Sequence, residues 1–78
     1  MDLKDLREQI DLIDDKIIEL YKERMALSKQ VGIVKAQIQK AVQDGNREKE
    51  IVYRLSQKCP EEIRFYVKEL YDAIFYTS

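Results

Sequence analysis

Apolar residues recur every three or four positions through the first half of the chain and form one continuous stripe. A single arginine interrupts it. The stripe comprises Leu3, Leu6, Ile10, Ile13, Ile17, Leu20, Arg24, Leu27, Val31, Val34, Ile38 and Ala41. This heptad spacing is typical of a helix that packs along its whole length. It predicts a helix from about Asp2 to about Lys40, with no proline and only Gly32 as a glycine.

Such a helix is too long for a compact chain of 78 residues. At about 1.5 Å per residue it spans roughly 58 Å, whereas a compact chain of this length has a radius of gyration of only about 11.5 Å. The stripe keeps its register through Gly32, so we expect the helix to continue there. Its free half then packs on a second chain, and the fold predicted is an intertwined homodimer.

The second half of the chain predicts a loop and two shorter helices. The loop is Gln43–Asn46, which is rich in turn-forming residues. The next helix runs from about Arg47 to Lys58, with Ile51, Val52 and Leu55 facing inward. A third helix begins at Cys59-Pro60, with proline in its first turn. Its expected inner face comprises Ile63, Tyr66, Val67, Leu70, Ala73, Ile74 and Thr77. The chain is therefore predicted to be one all-α domain, residues 1–78.

Composition narrows the classes of function. Basic residues number 14 and acidic residues 15, for a net charge of -1, so the chain lacks the basic footprint of a nucleic-acid binder. Cys59 is the one cysteine and histidine is absent, which disfavours disulfides, a metal site and the commonest general base. Charges interrupt every apolar run, so we expect neither a signal peptide nor a membrane span. A cytoplasmic location is the resulting expectation.

Arg24 is the first candidate for chemistry, because an unpaired charge on a buried helix face is costly. Lys35 follows eleven residues later, which places both side chains on one helix face within about 20° and about 16 Å apart along the axis. Arg7 points about 100° away from Arg24 and can serve a partner chain's pocket instead. Arg47 and Glu48 open the second helix, where N-termini attract anions.

Each candidate also has an ordinary structural explanation. Arg24 can fix helix register or oligomeric state, as polar residues in heptad seams do. Lys35 and Arg7 can be solvated surface charges. Glu48 can be a first-turn acid, and Asp44 a helix cap. The five tyrosines are interpreted as packing residues.

Four short segments, taken together in their order along the chain, favour a functional role for these residues over the structural explanations. They are Leu6–Asp14, which reads L-R-x-x-I-D-x-I-D, then Glu23-Arg24, then Val31–Lys35, which reads V-x-x-x-K, and Asp44–Glu48, which reads D-x-x-R-E. Together they resemble the all-helical class of chorismate mutase, over essentially the whole chain. The resemblance implies an intertwined dimer of three-helix chains. It also implies the pericyclic rearrangement of chorismate to prephenate in aromatic amino acid biosynthesis, which needs no metal and no cofactor.

The resemblance assigns roles to three cations on the first helix. Arg7 matches an arginine that crosses to the partner's site and binds a substrate carboxylate. Arg24 matches one that pairs with a carboxylate from the same chain. Lys35 matches a lysine that donates to the ether oxygen and a carboxylate.

Four further positions are implied around the substrate. Arg47 lies near a carboxylate of the substrate. Asp44 and Glu48 match positions around the ring hydroxyl, through backbone and side chain respectively. Ser78 aligns with a serine near the ring carboxylate.

The resemblance also marks one departure. The family usually places a glutamine or glutamate one turn beyond the position of Ser78, where this chain stops. We therefore expect one of three things: a shortened chain or the N-terminal domain of a longer enzyme, a site completed by another group, or reduced activity. Two other functions stay open: an isochorismate pyruvate lyase on the same scaffold, and a non-catalytic helical dimerisation or regulatory module.

Overall fold

A computed structural model describes residues 2–38 and 45–78 of the chain, and these residues form three helices. The helices are α1, Leu3–Gln37, α2, Gly45–Ser56, and α3, Glu61–Tyr76. The described residues contain no strand. The all-α architecture with one very long N-terminal helix is therefore confirmed.

Helix α1 is a single helix of 35 residues that passes through Gly32 without a break. It begins where the Asp2 side chain accepts a hydrogen bond of 2.9 Å from the Asp5 N–H, an N-cap that satisfies one of the free donors of the first turn. The described part ends at Ile38, whose N–H bonds to the Val34 carbonyl at 3.3 Å. The predicted continuation to Lys40 and the stripe position Ala41 lie outside the described residues.

Helices α2 and α3 pack against each other as a hairpin. The connection turns at Pro60, which caps α3 with φ -59° and ψ 152°, and the Arg64 Nε donates to the Cys59 carbonyl at 3.0 Å. Glu61 and Glu62 lie in the first turn of α3, where the helix dipole favours acids. Helix α2 begins two residues before the predicted start and ends two residues before the predicted end.

The core of the described chain is very small. Only Ile51 of α2 and Val67 of α3 are buried, at 8% and 9% exposure, and both lie between these two helices. The apolar stripe of α1 remains between 45% and 61% exposed, apart from Leu20 at 63%. The radius of gyration is 15.9 Å and the longest extent 54 Å, so one chain alone is far more extended than a compact domain of its length.

The inward face of α3 differs from the prediction. Ile63, Tyr66 and Leu70 are 48% to 61% exposed, whereas Tyr71 and Phe75, which the prediction left out, are half-buried. The reason is the direction of packing. Helix α3 turns one face toward α2 and the middle of α1, and the neighbouring apolar row stays open. The prediction merged these two rows into one.

Helix α1 meets the hairpin through side chains near the end of α3. The Tyr21 hydroxyl hydrogen-bonds to the Thr77 hydroxyl, and Arg24, one turn further along α1, contacts Ser78. None of the helices described is both long and apolar enough to cross a lipid bilayer.

Candidate active site

A pocket lies where the second half of α1 faces the start of α2 and the end of α3. It encloses about 320 Å³, within the size range of small-molecule sites. Its lining comprises Arg24, Leu27, Ser28, Val31, Lys35, Arg47, Glu48, Ile51, Phe75 and Ser78. Five of the residues singled out from the sequence therefore converge on one cavity: Arg24, Lys35, Arg47, Glu48 and Ser78.

Helical spacing explains the α1 side of this pocket. Leu27 and Ser28 follow Arg24 by three and four residues, and Val31 and Lys35 follow at further steps of four from Leu27, so these side chains lie along one face of the helix. The same periodicity that makes the apolar stripe thus supplies both the apolar floor and the two cations. The α2 residues come from its first two turns, and the α3 residues from its C-terminal end.

The pocket carries an excess of positive charge. Arg24, Lys35 and Arg47 bring positive charge to the pocket, and Glu48 is the one acidic side chain among the lining residues that the structure describes. Arg47 Nη1 also pairs with Glu50 Oε1 at 3.0 Å, an exposed ion pair within α2. Cations beside apolar side chains suit an anion that also has apolar surface, because its charge can pair while its apolar part is removed from water.

Arg24 is held by several groups at once. Its Nη1 donates to Ser78 Oγ at 3.1 Å, and Ser78 Oγ donates to the Ile74 carbonyl at 2.7 Å. The guanidinium carbon lies 5.8 Å from the centre of the Tyr71 ring and 5.6 Å from that of Phe75. These contacts tie the middle of α1 to the last turn of α3.

Of the predicted site residues that the structure describes, Arg7 is the one absent from the lining of this pocket. Arg7 lines a separate groove at the start of α1, beside Lys4, Glu8 and Asp11. It lies seventeen residues before Arg24, or about 25 Å along the helix. Asp44 lies outside the described residues.

Five lining residues were not singled out from the sequence as site residues: Leu27, Ser28, Val31, Ile51 and Phe75. Helical spacing was the available signal. Ser28 follows Arg24 by four residues and Phe75 precedes Ser78 by three, so each shares a face with a residue already identified.

A second groove lies on the other side of the hairpin and shares Phe75 and Glu48 with the pocket. Lys68 and Asp72 line it and form an exposed ion pair at 2.8 Å. The hydrogen bond that Lys68 donates to the Asp72 carboxylate, together with the charge of that carboxylate, raises the pKa of Lys68 above its ordinary value. A higher pKa only keeps an exposed lysine charged, so it adds no reactive group to the site.

Comparison of the sequence with known protein families indicates how this pocket is to be interpreted. The family described as chorismate mutase type II matches residues 6–78. The chain belongs to this family. The match begins just before Arg7 and reaches Ser78, so it includes every residue of the candidate site. The family assignment made from the four sequence segments is confirmed.

Two relatives show how the match extends to whole proteins. A chorismate mutase of Methanocaldococcus jannaschii is 41% identical over 59 residues, which cover 76% of this chain and 60% of that protein. A bifunctional chorismate mutase/prephenate dehydratase of Aquifex aeolicus is 35% identical over 74 residues, covering 95% of this chain and 18% of that protein. The chain therefore spans only part of each relative's length. No solved structure matches it.

Proposed function

We propose that this chain is a chorismate mutase that converts chorismate to prephenate. The observation that carries the proposal is the pocket in which Arg24, Lys35 and Arg47 converge beside Glu48 and an apolar wall. Membership of the type II chorismate mutase family and similarity to the two relatives described above support it.

The chemistry asks for what this pocket contains. In the rearrangement an ether C–O bond breaks and a C–C bond forms within one molecule, so no nucleophile, proton shuttle, metal or cofactor is needed. The site must hold a flexible dianion in its reactive conformer and stabilise the negative charge that develops on the ether oxygen.

The cations divide these two tasks by their shape. Arginine presents a planar fork that matches a carboxylate, so we assign Arg24 and Arg47 to the substrate carboxylates. Lysine is a compact charge, and we assign Lys35 to the ether oxygen and a neighbouring carboxylate. Glu48 and Asp44 then serve the ring hydroxyl, and Ser78 lies at the ring carboxylate end.

We further propose that two chains form the active molecule, with residues 1–78 acting as one domain. The apolar stripe of α1 is open along its whole described length in a single chain, and Arg7 lies far from the pocket of its own chain. A second copy packed along the stripe covers the apolar surface and brings its Arg7 to the pocket. A cytoplasmic location fits the single cysteine and the small-molecule substrate.

Turnover of two substrates tests the proposed reaction. The purified chain is given chorismate or isochorismate without added metal or cofactor, and products are separated by chromatography. We expect prephenate to form from chorismate at a higher rate than pyruvate is released from isochorismate. The reverse order would identify the pyruvate lyase instead.

Calorimetry with a transition-state analogue separates both enzymes from a purely structural module. We expect the analogue to bind the wild type and not the Arg24→Leu variant. If the wild type binds neither analogue nor chorismate, and Arg24→Leu only raises the melting temperature, Arg24 is a register device and the enzymatic proposal fails.

A further inference from the structure

The guanidinium of Arg24 sits in a cradle of two aromatic rings. The rings of Tyr71 and Phe75 lie 5.6 Å apart with their planes at 59°, and the Arg24 carbon lies 5.8 Å and 5.6 Å from their centres. Three nearly equal separations place the cation in the angle between the two rings. A cation within about 6 Å of an aromatic ring centre is attracted by the ring's quadrupole.

Ring contacts hold an arginine without consuming its hydrogen-bond donors. The guanidinium has five N–H donors, and the described contacts place one of its nitrogens on Ser78. The rings restrain the group's position, while its remaining donors stay available for an anion. An arginine on a flexible stem otherwise loses side-chain entropy when it binds.

We infer that Tyr71 and Phe75 are positioning residues, which hold the Arg24 guanidinium ready for a substrate carboxylate. This inference rests on the proposed function, since it concerns the same pocket. Tyr71, Phe75 and Ser78 are four and three residues apart, so one face of the last turns of α3 carries the whole cradle. Phe75 also lines the pocket, whereas Tyr71 does not.

Tyr71 therefore gives the sharper test, because it acts on substrate only through Arg24. In Tyr71→Leu we expect the KM for chorismate to rise about three- to thirty-fold, the range that corresponds to loss of one such ring contact. The kcat changes much less, because the contact with Arg24 aids binding in ground and transition states alike. Tyr71→Phe keeps the ring and restores the wild-type KM.

A merely structural role gives a different result. If Tyr71 only contributes packing, its loss reduces the fraction of folded sites, which lowers the apparent kcat and leaves KM unchanged. Tyr71→Leu and Phe75→Leu would then differ from each other only in their stability. Phe65→Leu is the matched control, since Phe65 lies on the same helix at 71% exposure. We expect it to change neither constant. A Tyr71→Leu variant with unchanged KM overturns the inference.

A second readout does not depend on turnover. In the substrate-free protein, the side-chain protons of Arg24 should show ring-current shifts in NMR spectra, assigned by their loss in Arg24→Lys. We expect Tyr71→Leu and Phe75→Leu each to move these resonances toward ordinary arginine positions, and Tyr71→Phe to leave them in place. If the Arg24 resonances do not move in Tyr71→Leu and Phe75→Leu, the positioning inference is overturned. If the wild type shows the expected ring-current shifts but does not turn over chorismate, the proposed function is overturned instead.

Discussion

Arg24 shows how one residue can disturb a sequence pattern for a tertiary reason. In the stripe it replaces an apolar side chain, and the spacing left a register device and an anion site equally open. The structure gives it Ser78 and two rings of α3 as neighbours, and it is half-buried. These partners offset part of the cost of burying the charge, and they place its guanidinium at the pocket.

Lys35 is the residue whose removal should affect the chemical step most. We expect Lys35→Ala to lower kcat for chorismate by about 100-fold or more, because removing one preorganised donor from a developing oxyanion typically has this effect. The fold should persist, since Lys35 is not one of the two core residues of the described chain, Ile51 and Val67. Steady-state kinetics and far-ultraviolet circular dichroism provide the two measurements.

Lys29→Ala is the control for this change. Lys29 is an exposed lysine of the same helix that is absent from the pocket lining, so we expect wild-type kinetics. Full activity in Lys35→Ala, or an equal loss in both variants, would contradict the assignment of Lys35 to the ether oxygen.

At the level of elements, the three-four spacing of α1 supplies both the apolar stripe and the side chains that this helix contributes to the pocket. Its three-four spacing was sufficient to predict a continuous helix through Gly32, and the structure confirms this. The same spacing could not say which helix covers which part of the stripe. Within one chain the stripe remains exposed, which is the observation behind the proposed dimer.

Two neighbouring residues test whether this stripe is the dimer interface. Ile13 lies on it, whereas Leu12 is exposed about 100° away around the helix. We expect Ile13→Lys to shift the protein from dimer to monomer and to reduce its helical content, because it buries an unpaired charge in the interface. Sedimentation equilibrium measures the mass.

Leu12→Lys introduces the same charge one residue earlier and should leave the dimer intact. A wild type that sediments as a monomer would exclude the proposed dimer. Equal dissociation of both variants would instead mean that the interface extends well beyond the stripe.

At the scale of the whole molecule, the proposed site residues of one chain do not all lie in one pocket. Five predicted residues converge on the pocket, but Arg7 lines a groove at the far end of α1. A rigid helix cannot bring residues about 25 Å apart together. If Arg7 binds substrate, it must therefore do so in another chain.

Mixing two inactive variants tests this exchange. Arg7→Ala and Lys35→Ala are unfolded together and refolded as hybrids. We expect activity to return to about a quarter of the wild-type value, because half of the dimers are hybrid and each hybrid holds one intact site. Chorismate turnover against total protein measures the recovery.

The matched control mixes Lys35→Ala with Arg24→Ala. Both residues are assigned to the same chain's pocket, so each hybrid site lacks one of them and no activity should return. Recovery in this control, or none in the first mixture, would show that Arg7 does not complete a partner's site.

Much of the fold was predictable because it depends on local periodicity. The long helix, the shorter two and the proline start of α3 all follow from spacing and turn residues. The inner face of α3 was predicted wrongly in part, because adjacent apolar rows around Val67 and Leu70 look alike in sequence. Only the packing direction shows that one row meets α2 while the other stays open.

The candidate site likewise contains residues that the sequence predicted and residues that it did not. Arg24, Lys35, Arg47 and Glu48 were identified from the ordered segments, and Ser78 from the resemblance to the family. Phe75 and Ser28 were missed, since an aromatic or a serine at helical spacing has no distinctive signal. Their part in the pocket depends on how three helices approach one another.

The sequence by itself determined the all-helical architecture, the unbroken α1, the family and the set of cations, because each depends on residue types at local or ordered spacing. The tertiary structure decided which of those cations share a cavity, and it brought Tyr71 and Phe75 of α3 against Arg24 of α1. These residues are more than forty positions apart in the chain. Contacts at such separations depend on the packing direction of each helix, which local periodicity does not specify.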